Sequence, residues 1–288
     1  MFRKQCYASS VSDRAADVFD VWNRCFSGFK RLGGSVQEGI RGGSRIAVYE
    51  PDDAGARAAD GLPIPPADLI ELVAGTPDVA WFLEAGRWGA ESIIEMLEHA
   101  GVRLDDLRAV LDFGCGCGRV MRHFQSFTET RLHGVDHNPK LVAWCDQYLP
   151  FARFATNDLR GPLPYTRNRF DMVYALSVFT HLSEPLQFHW IGELARVLKP
   201  GGYLVVTTHG ESYLDIMSPE EQELFHSGQL AVRGGSESGT STCAAFHPPA
   251  YVREKLASGF EVVDFIPEGA KGNPHQDAFL LRKPTGPS

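Results

Sequence analysis

The stretch VLDFGCGCGRV, from Val110 to Val120, decides the fold class of this chain of 288 residues. A short apolar run ends at Phe113, and glycines follow at positions 114, 116 and 118. This order is typical of a strand that turns directly into a tight loop. Such a loop lets a ligand contact the backbone where a side chain would collide with it. The stretch therefore predicts the first strand of an α/β domain, with a ligand at the carboxyl end of that strand.

Further short apolar runs, rich in β-branched and aromatic residues, follow the glycine loop. They are RLHGVD (131–136), FARFA (151–155), FDMVYAL (170–176) and YLVVTT (203–208), with FEVVDFI (260–266) and DAFLLRK (277–283) in the tail. Helical patterns follow the strand before the glycine loop and the strand RLHGVD, and another separates FDMVYAL from YLVVTT. Strands that alternate with helices predict a parallel sheet with right-handed crossovers.

Local signals mark the ends of several predicted helices. Asn138 followed by Pro139 is an N-cap with proline at the first helical position. An apolar stripe from Leu186 to Leu198 ends at the helix stop KPGG (199–202). The sequence SPEE (218–221) predicts a capping box that opens a short helix beyond the fifth strand.

The first hundred residues have a different character from the rest. Residues 13–32 show helical spacing, residues 34–66 form an irregular connector, and a second helical block ends at Gly101. We therefore expect a helical N-terminal extension or lid over residues 1–100 and the sheet domain over residues 101–288. Within the sheet domain, residues 211–246 are expected to be an insertion that covers the substrate. The aromatic residues Trp81, Phe82 and Trp88 either belong to the lid or pack in the core.

Composition excludes several classes of protein. The formal net charge is -8, and charges of both signs are scattered along the chain, so a basic surface for nucleic acid is not expected. No apolar run is long enough to span a membrane, and the N-terminus lacks a secretory signal. Six cysteines without a C-x-x-C pair argue against a disulfide framework or a zinc ribbon. A reduced, cytoplasmic protein is expected.

Two aspartates define the ligand of the glycine loop. The dinucleotide fingerprint G-x-G-x-x-G would place its third glycine at the position of Arg119. Asp112 would repel a pyrophosphate at this loop but suits a ligand with a positive centre. Asp136 ends the next strand, at the distance expected of a residue that binds ribose hydroxyls. The pattern predicts a ligand with a ribose, no phosphates and a cationic end, which S-adenosylmethionine satisfies.

At this point the sequence resembles the class I, Rossmann-like methyltransferases that use S-adenosylmethionine. VLDFGCGCGRV resembles their glycine motif, LHGVDHNPKLVAW their ribose segment, and FDMVYALSVFTHL and LARVLKPGGYLVVTT their fourth strand and the turn into their fifth. The resemblance spans residues 110–208. It implies a doubly wound, mostly parallel seven-stranded sheet whose last strand is antiparallel.

The resemblance also implies which residues contact the cofactor. Around its amino-acid part and ribose it implies Gly114, Cys115, Gly116, Gly118, Asp112 and Asp136. Around the adenine and beneath the cofactor it implies His137, Asn157, Asp158, Leu159, Ser177 and Val178. Arg87, in the helix before the first strand, is the candidate partner of the cofactor carboxylate.

Candidates for a catalytic base come from the carboxyl edge of the sheet. His209, His247 and His181 are the histidine candidates. Glu211, Tyr213 and Asp277 lie near the same edge. No metal ligand set is predicted, because Cys115 and Cys117 have no further partner at ligand spacing. These cysteines are interpreted as small side chains of a tight loop.

The sequence thus predicts an S-adenosylmethionine-dependent methyltransferase that acts on a small molecule of natural-product or sugar type. The acceptor atom stays open among oxygen, nitrogen and carbon, and the protein is expected to be a monomer or homodimer. Two alternatives remain at this level. One is a regulatory protein that binds S-adenosylmethionine without catalysis. The other is a nicotinamide-dependent oxidoreductase, which Asp112 and the glycine spacing disfavour.

Overall fold

The computed structural model describes residues 38–41, 44–47, 56–273 and 275–286. Its strands are β1 (Glu38–Arg41), β2 (Ser44–Ala47), β3 (Ala109–Phe113), β4 (Arg131–Asp136), β5 (Ala152–Thr156), β6 (Phe170–Ala175), β7 (Leu198–His209), β8 (Ala231–Arg233), β9 (Ala244–Phe246), β10 (Glu261–Ile266) and β11 (Gln276–Arg282). Its helices are α1 (Ala67–Ala74), α2 (Val79–His99), α3 (Pro139–Tyr148), α4 (Glu184–Val197), α5 (Pro219–His226) and α6 (Pro249–Tyr251), which continues as a π-helical turn over Val252–Leu256. Short 3₁₀ helices cover Leu104–Asp106, Met121–Phe124, Phe179–His181, Glu211–Ile216 and Gly235–Glu237.

Seven strands form the main sheet, in the order β10-β11-β7-β6-β3-β4-β5. Strands β3 to β7 pair in parallel, whereas β11 is antiparallel to both β7 and β10. The chain runs outward from β3 through β4 to β5 and then returns to β6 on the other side of β3. The predicted Rossmann-like sheet with an antiparallel last strand is therefore confirmed, and β11 lies one position in from the edge. Ligands of such sheets bind where the strand order reverses, which here is between β3 and β6.

The helices begin where their capping residues predict. The Asn138 side chain accepts a hydrogen bond from the backbone N–H of Lys140, with Pro139 at the first helical position of α3. Ser218 and Glu221 form the predicted capping box at the start of α5. Both caps satisfy backbone donors that a helix N-terminus would otherwise leave unpaired.

Two apolar layers cover the faces of the sheet. The stripe predicted on α4, including Leu186, Trp190 and Leu194, packs against one face together with the turn after α6. Helix α2 packs Ile93 and Met96 against the other face. Each helix therefore buries one stripe and leaves its opposite side in solvent, as a sheet covered on both faces requires.

Some expectations about the connections were wrong. The segment after the glycine loop is only the 3₁₀ turn Met121–Phe124. Twelve residues (119–130) separate the loop from β4, and hydrogen bonds of 2.6 and 3.0 Å fix the Arg122 guanidinium to Asp60. The connector predicted over residues 34–66 contains the antiparallel hairpin β1–β2. The helix predicted over residues 13–32 lies outside the described residues.

The structure also shows where the predicted insertion and the aromatic residues of α2 lie. The insertion contains α5 and a hairpin, β8–β9, which extends the sheet through a parallel bridge between His209 and Phe246. Phe82 is fully buried in a core cluster and therefore packs in the core. Trp81 and Trp88 pack edge to face, with their ring centroids 6.1 Å apart. Among the described residues, we find no helix with the length and apolar character of a membrane span.

Candidate functional site

A cleft of about 940 Å³ opens at the carboxyl edge of the sheet, at the reversal of strand order. The residues predicted for the site that line it are Asp112, Gly114, Cys115, Gly116, Asp136, His137, Asn157, Leu159, Ser177, Val178 and His181. Gly118, Asp158, Arg87, His209 and His247 do not line this cleft. The volume lies near the upper end of the range for small-molecule sites.

The backbone of the glycine loop forms one wall of the cleft. Gly114, Gly116 and Gly118 all have positive φ, at 79°, 55° and 80°, which other residues adopt only with strain. A Cβ added at Gly116 would lie 2.7 Å from Val73 Cγ2 of α1. Val73 itself lines the cleft, so a side chain at Gly116 would lie at the cleft wall, and its entry into the ligand's space stays a prediction. These glycines are required because the loop turns tightly between neighbouring parts of the protein itself.

Asp136 joins the end of β4 to this loop. Its Oδ2 accepts a hydrogen bond of 2.9 Å from the Gly116 N–H, and its Oδ1 accepts one of 2.8 Å from the Asn138 N–H. Burial raises the pKa of the Asp136 carboxyl, and the two backbone donors counteract that rise. A carboxylate has about four lone-pair positions, so this side chain retains acceptor capacity on the cleft wall.

Asp112 is a buried acid at the end of β3. Its pKa is raised to about 8, chiefly by burial and also by the charge of Asp136, against the lowering effects of a hydrogen bond from Tyr174 and of the charge of Arg119. The pKa of the Asp112 carboxyl therefore lies close to neutral pH, so a small change in its surroundings can decide whether it is ionised. A positive charge bound beside it would stabilise the ionised form, because opposite charges at short range lower a carboxyl pKa.

The cysteines of the loop are buried and protonated. Hydrogen bonding to Cys145 and burial both raise the pKa of Cys115 well above its ordinary value, and burial does the same for Cys117. The Cys117 Sγ lies 3.7 Å from the carbonyl oxygen of Leu69. Among residues 56–273 and 275–286, no group of three or more His, Cys, Asp or Glu side chains is arranged to hold a metal ion. Both thiols therefore act as small packing groups in this structure.

The residues predicted around an adenine divide into two groups. His137, Asn157 and Leu159 lie on the cleft wall, but Asp158 lies outside it. The Asn157 side chain donates a hydrogen bond of 3.1 Å to the backbone carbonyl of Asp158, which fixes its amide. The wall after β5 thus contains one amide and one apolar side chain next to the half-exposed imidazole of His137.

Arg87 does not reach the cleft. It lies on the exposed side of α2, where its guanidinium pairs with Glu91 one turn later at 2.6 Å. The buried Arg119, directly after the glycine loop, lines the cleft instead. Its guanidinium donates to Gly272 O at 2.9 Å and to Asn273 Oδ1 at 2.7 Å. Arg119 was not predicted as a site residue, although its position interrupts the glycine fingerprint of the sequence.

Ser177, two residues after the end of β6, has an unusual backbone conformation. Its φ of 57° is positive, which costs energy for a residue with a side chain and is found mainly at functional sites. The Ser177 N–H donates to Thr207 Oγ1 at 2.7 Å, and Ser177 Oγ accepts from Gln276 Nε2 at 2.9 Å. Contacts from two neighbouring strands therefore hold this residue in its strained position on the cleft floor.

Of the three predicted histidines, only His181 lines the cleft. Its Nδ1 lies 2.8 Å from the backbone carbonyl of Cys243. A carbonyl oxygen only accepts, so the proton of the neutral ring is on Nδ1 and Nε2 keeps its lone pair. Burial lowers the pKa of His181, which keeps the ring neutral at pH 7.

His209 and His247 lie beneath the cleft in the core. Burial lowers the pKa of His209 well below its ordinary value and that of His247 to about 3. His247 Nε2 lies 3.1 Å from Gln187 Oε1, and the His209 ring packs on Tyr213 with centroids 4.1 Å apart. Glu211, Tyr213 and Asp277 do not line the cleft either. Asp277 accepts a hydrogen bond from the Glu268 N–H at 3.0 Å.

A polar segment of the insertion closes one side of the cleft. We call residues 234–243 the cover loop, of which Ser236 to Thr242 line the cleft. A Cβ added at Gly239, which has φ of 87°, would lie 2.7 Å from Leu159 and 3.8 Å from His137. The insertion was expected to cover the site, and its Ser/Gly-rich composition was the available signal, but the residues of contact could not be read from it.

The chain is similar in sequence to known methyltransferases. Residues 110–202 match the family model described as a methyltransferase domain. A 27-O-demethylrifamycin SV methyltransferase from Amycolatopsis mediterranei is 31% identical over 159 residues, which cover 49% of this chain and 54% of that protein. A sterol 24-C-methyltransferase from Schizosaccharomyces pombe is 35% identical over 99 residues, which cover 32% of this chain and 25% of that protein.

A solved structure supports the fold over most of the chain. The Burkholderia thailandensis 1,6-didemethyltoxoflavin-N1-methyltransferase, solved with 1,6-didemethyltoxoflavin and S-adenosylhomocysteine, is similar with a TM-score of 0.51 and 19% identity. The similarity covers 85% of this chain and 97% of that one. Residues 110–202 are thus similar to the methyltransferase domain family, and the sheet around them has the Rossmann-like fold of the class I methyltransferases. The chain spans only about a quarter to a half of the length of the two curated relatives.

Proposed function

We propose that the whole protein is an S-adenosylmethionine-dependent methyltransferase that transfers the methyl group to a small-molecule acceptor. The observation that carries the proposal is that one cleft brings together the glycine loop, Asp136 and the neutral imidazole of His181. The first two are the groups expected for a nucleoside with an amino-acid tail. The third is a proton acceptor on the opposite side of the same space.

The residues present fit this cofactor. Asp136 offers carboxylate lone pairs where ribose hydroxyls are expected. Asp112 is a buried acid that a cationic ligand would ionise. Arg119 is a buried cation whose guanidinium donates to Gly272 O and Asn273 Oδ1 and, among residues 56–273 and 275–286, forms no salt bridge, which suits the cofactor carboxylate better than the exposed Arg87 does. When bound, the cofactor supplies a methyl group on a positively charged sulfur.

The chain's own residues then have two tasks. They hold the acceptor atom in line with the methyl group and keep water out, which lowers the barrier by orientation. An acceptor that arrives protonated also needs a base. His181 Nε2 is the proton acceptor on the cleft wall, and the Cys243 carbonyl stabilises the imidazolium through Nδ1–H. His209 and His247 are less suited because both are buried beneath the cleft.

The polarity of the cleft supports an acceptor with hydroxyl or amine groups. The cover loop brings five hydroxyl-bearing side chains and one carboxylate to the wall. They belong to Ser236, Ser238, Thr240, Ser241, Thr242 and Glu237. Several of these hydroxyls are already hydrogen-bonded within the loop, but hydroxyl and carboxylate oxygens have further lone pairs that can accept from a polar ligand and that a purely apolar acceptor would remove from water without replacement. We therefore favour a polar natural-product or sugar-type molecule over a nucleic acid or an apolar lipid.

Calorimetric titration of the full chain tests the cofactor first. S-Adenosylhomocysteine and S-adenosylmethionine are expected to bind with micromolar dissociation constants, and NAD with little affinity. Tight binding of NAD without binding of the thioether would favour the oxidoreductase. Binding of both sulfur compounds without turnover of any polar acceptor in a broad panel would favour the regulatory protein.

A variant of His181 tests the base. Removal of a general base lowers the rate typically by about 10²–10⁴-fold, so His181→Gln is expected to lose turnover on that scale. Its affinity for S-adenosylhomocysteine is expected to stay close to that of the wild type. The matched control is His226→Gln, because His226 is exposed at the end of α5 and does not line the cleft. Equal turnover in both variants would remove His181 from the mechanism.

A further inference from the structure

The cover loop is joined to the segment that carries His181. The Gly239 N–H donates to the His181 carbonyl at 2.8 Å, and His181 Nδ1–H donates to the Cys243 carbonyl at 2.8 Å. The Ser183 N–H donates to Ser238 Oγ at 2.9 Å. Three hydrogen bonds therefore run between this loop and residues 181–183, in both directions.

Ser238 is the side chain that links these two segments. Its hydroxyl donates to the Gly235 carbonyl at 2.7 Å while it accepts from the Ser183 N–H. Both the proton and a lone pair of the hydroxyl are therefore in use. The first bond closes the turn at the start of the cover loop, and the second seats that turn beside His181. Of the three bonds to residues 181–183, only that from Ser183 to Ser238 can be removed by changing a side chain of the loop.

The same loop also contacts the wall predicted for the adenine. Gly239 lies so close to Leu159 that an added Cβ would be 2.7 Å from it, and His137 is next to the same position. A displacement of the cover loop would therefore change two places together. The wall beside His137 and Leu159 would open, and the His181 ring would lose the carbonyl that holds its proton on Nδ1.

We propose that Ser238 is a positioning residue, which seats the cover loop so that closure of the cofactor side fixes the His181 tautomer needed for catalysis. The proposal rests on the proposed function for the role of His181. The neutral imidazole has two tautomers, and the hydrogen bond of one nitrogen sets the state of the other. With Nδ1–H donated to Cys243, Nε2 is the unprotonated nitrogen of a ring that lines the cleft. In a displaced loop the proton redistributes to Nε2, and the ring can no longer accept a proton there.

The test reads the tautomer directly. Full-length protein labelled with ¹⁵N-histidine is studied by long-range ¹H–¹⁵N NMR at pH 8, with the His181 signal assigned from His181→Gln. The wild type is expected to show a protonated Nδ1 and an unprotonated Nε2. Ser238→Ala is expected to show a mixture of tautomers, and Ser238→Thr, which keeps the hydroxyl, to return toward the wild type. An unchanged tautomer in Ser238→Ala overturns the proposal.

A second measurement tests the coupling to the cofactor side. Ser238→Ala is expected to weaken the binding of S-adenosylhomocysteine about two- to tenfold, as for loss of one hydrogen bond. Gly239→Ala is expected to act in the same direction, because its Cβ would press on Leu159 and its φ of 87° disfavours a side chain. A shifted tautomer with wild-type affinity in both variants overturns the coupling.

A control variant is available for both the tautomer measurement and the affinity measurement. Ser227→Ala lies in the same insertion, at the exposed end of α5 and away from the cleft, and should change neither the tautomer nor the affinity. The tautomer is measured without ligand. A wild type that binds no S-adenosylhomocysteine would therefore overturn the proposed function, while the NMR result would still decide whether Ser238 holds the His181 ring.

Discussion

The two walls of the cleft are built in different ways. The wall around the glycine loop uses residues close in sequence, since Gly116 lies in the loop that follows β3 and Asp136, 20 positions later, ends the neighbouring parallel strand β4. The opposite wall brings His181 to the carbonyl of Cys243, 62 positions later, across an insertion. The first wall is fixed by the sheet, because parallel strands gather their carboxyl ends at one edge. The second depends on how the insertion packs, so it is the wall that can vary with the acceptor.

The sheet-built wall should be the harder of the two to alter. Gly116→Val is expected to abolish binding of S-adenosylhomocysteine, because φ is 55° at this position and the new Cβ would lie 2.7 Å from Val73. Titration calorimetry measures the binding, and circular dichroism checks that the fold survives.

The control for this variant is Gly192→Val in α4. Gly192 is exposed, and a Cβ there has no neighbour within 4 Å. Stability and affinity should both stay near the wild type, since valine is no worse than glycine inside a helix. A Gly116→Val protein that binds as tightly as this control would show that the loop can reshape, and the contrast between the walls would lose its basis.

The same contrast explains what could be predicted from the sequence. The strand ends, Asp112 and Asp136 were found because the apolar period and the first residue after each strand fix their place in a parallel sheet. His181 could only be listed with His209 and His247, because no local pattern distinguishes a ring on the cleft wall from rings buried beneath it. Their separation depends on contacts with the distant insertion.

Two further misses have the same physical origin. Arg87 was expected near the cofactor, but the direction of a helical side chain depends on how the helix packs, and α2 turns this residue toward Glu91 in solvent. The helix expected after the glycine loop is a 3₁₀ turn, since the buried Arg122 is tied to Asp60 across the N-terminal segment. Long-range contacts decide both outcomes, and a periodic pattern does not record them.

Asp136 offers a smaller perturbation of the sheet-built wall. Asp136→Ala removes the carboxylate that we propose accepts charge-assisted hydrogen bonds from the ribose, and it also removes the hydrogen bond that the Gly116 N–H donates to Oδ2. Such bonds contribute about 1.5–3 kcal/mol, so the dissociation constant for S-adenosylhomocysteine should rise about tenfold or more. Asp146→Ala, an exposed aspartate on α3, is the matched control. Equal affinities for the two variants would mean that the ribose is held elsewhere.

The buried acid Asp112 is expected to make the free energy of unfolding depend on pH. Its pKa is about 8 in the folded protein and ordinarily 3.8, so the folded state holds a proton that the unfolded chain releases. The free energy of unfolding therefore falls as the pH rises from about 4 to about 8, and this contribution is absent below about pH 4. Asp112→Asn lacks that loss, so its melting temperature should exceed that of the wild type by a few degrees at pH 8.

Thermal unfolding of ligand-free protein at pH 5 and pH 8 measures this effect. The difference between Asp112→Asn and the wild type should grow with pH, while the variant binds S-adenosylhomocysteine more weakly at both values. A difference in melting temperature that is independent of pH would show that the side chain does not carry the proton assigned to it.

The smallest effect is expected from the cysteines, although they lie in the most constrained part of the cleft. Both thiols are buried, and burial raises the pKa of Cys117 so that it holds its proton at neutral pH. A protonated thiol is a poor nucleophile and a poor metal ligand. Cys117→Ala and Cys115→Ala should therefore keep S-adenosylhomocysteine affinity, and turnover of an identified acceptor, within a few-fold of the wild type. Titration calorimetry measures the affinity, and elemental analysis of the purified protein measures bound metal. An alanine variant that binds the cofactor but has no turnover, or wild-type protein with stoichiometric zinc, would give these thiols a chemical role, and the glycine-loop wall would then do more than seat a ligand on its backbone.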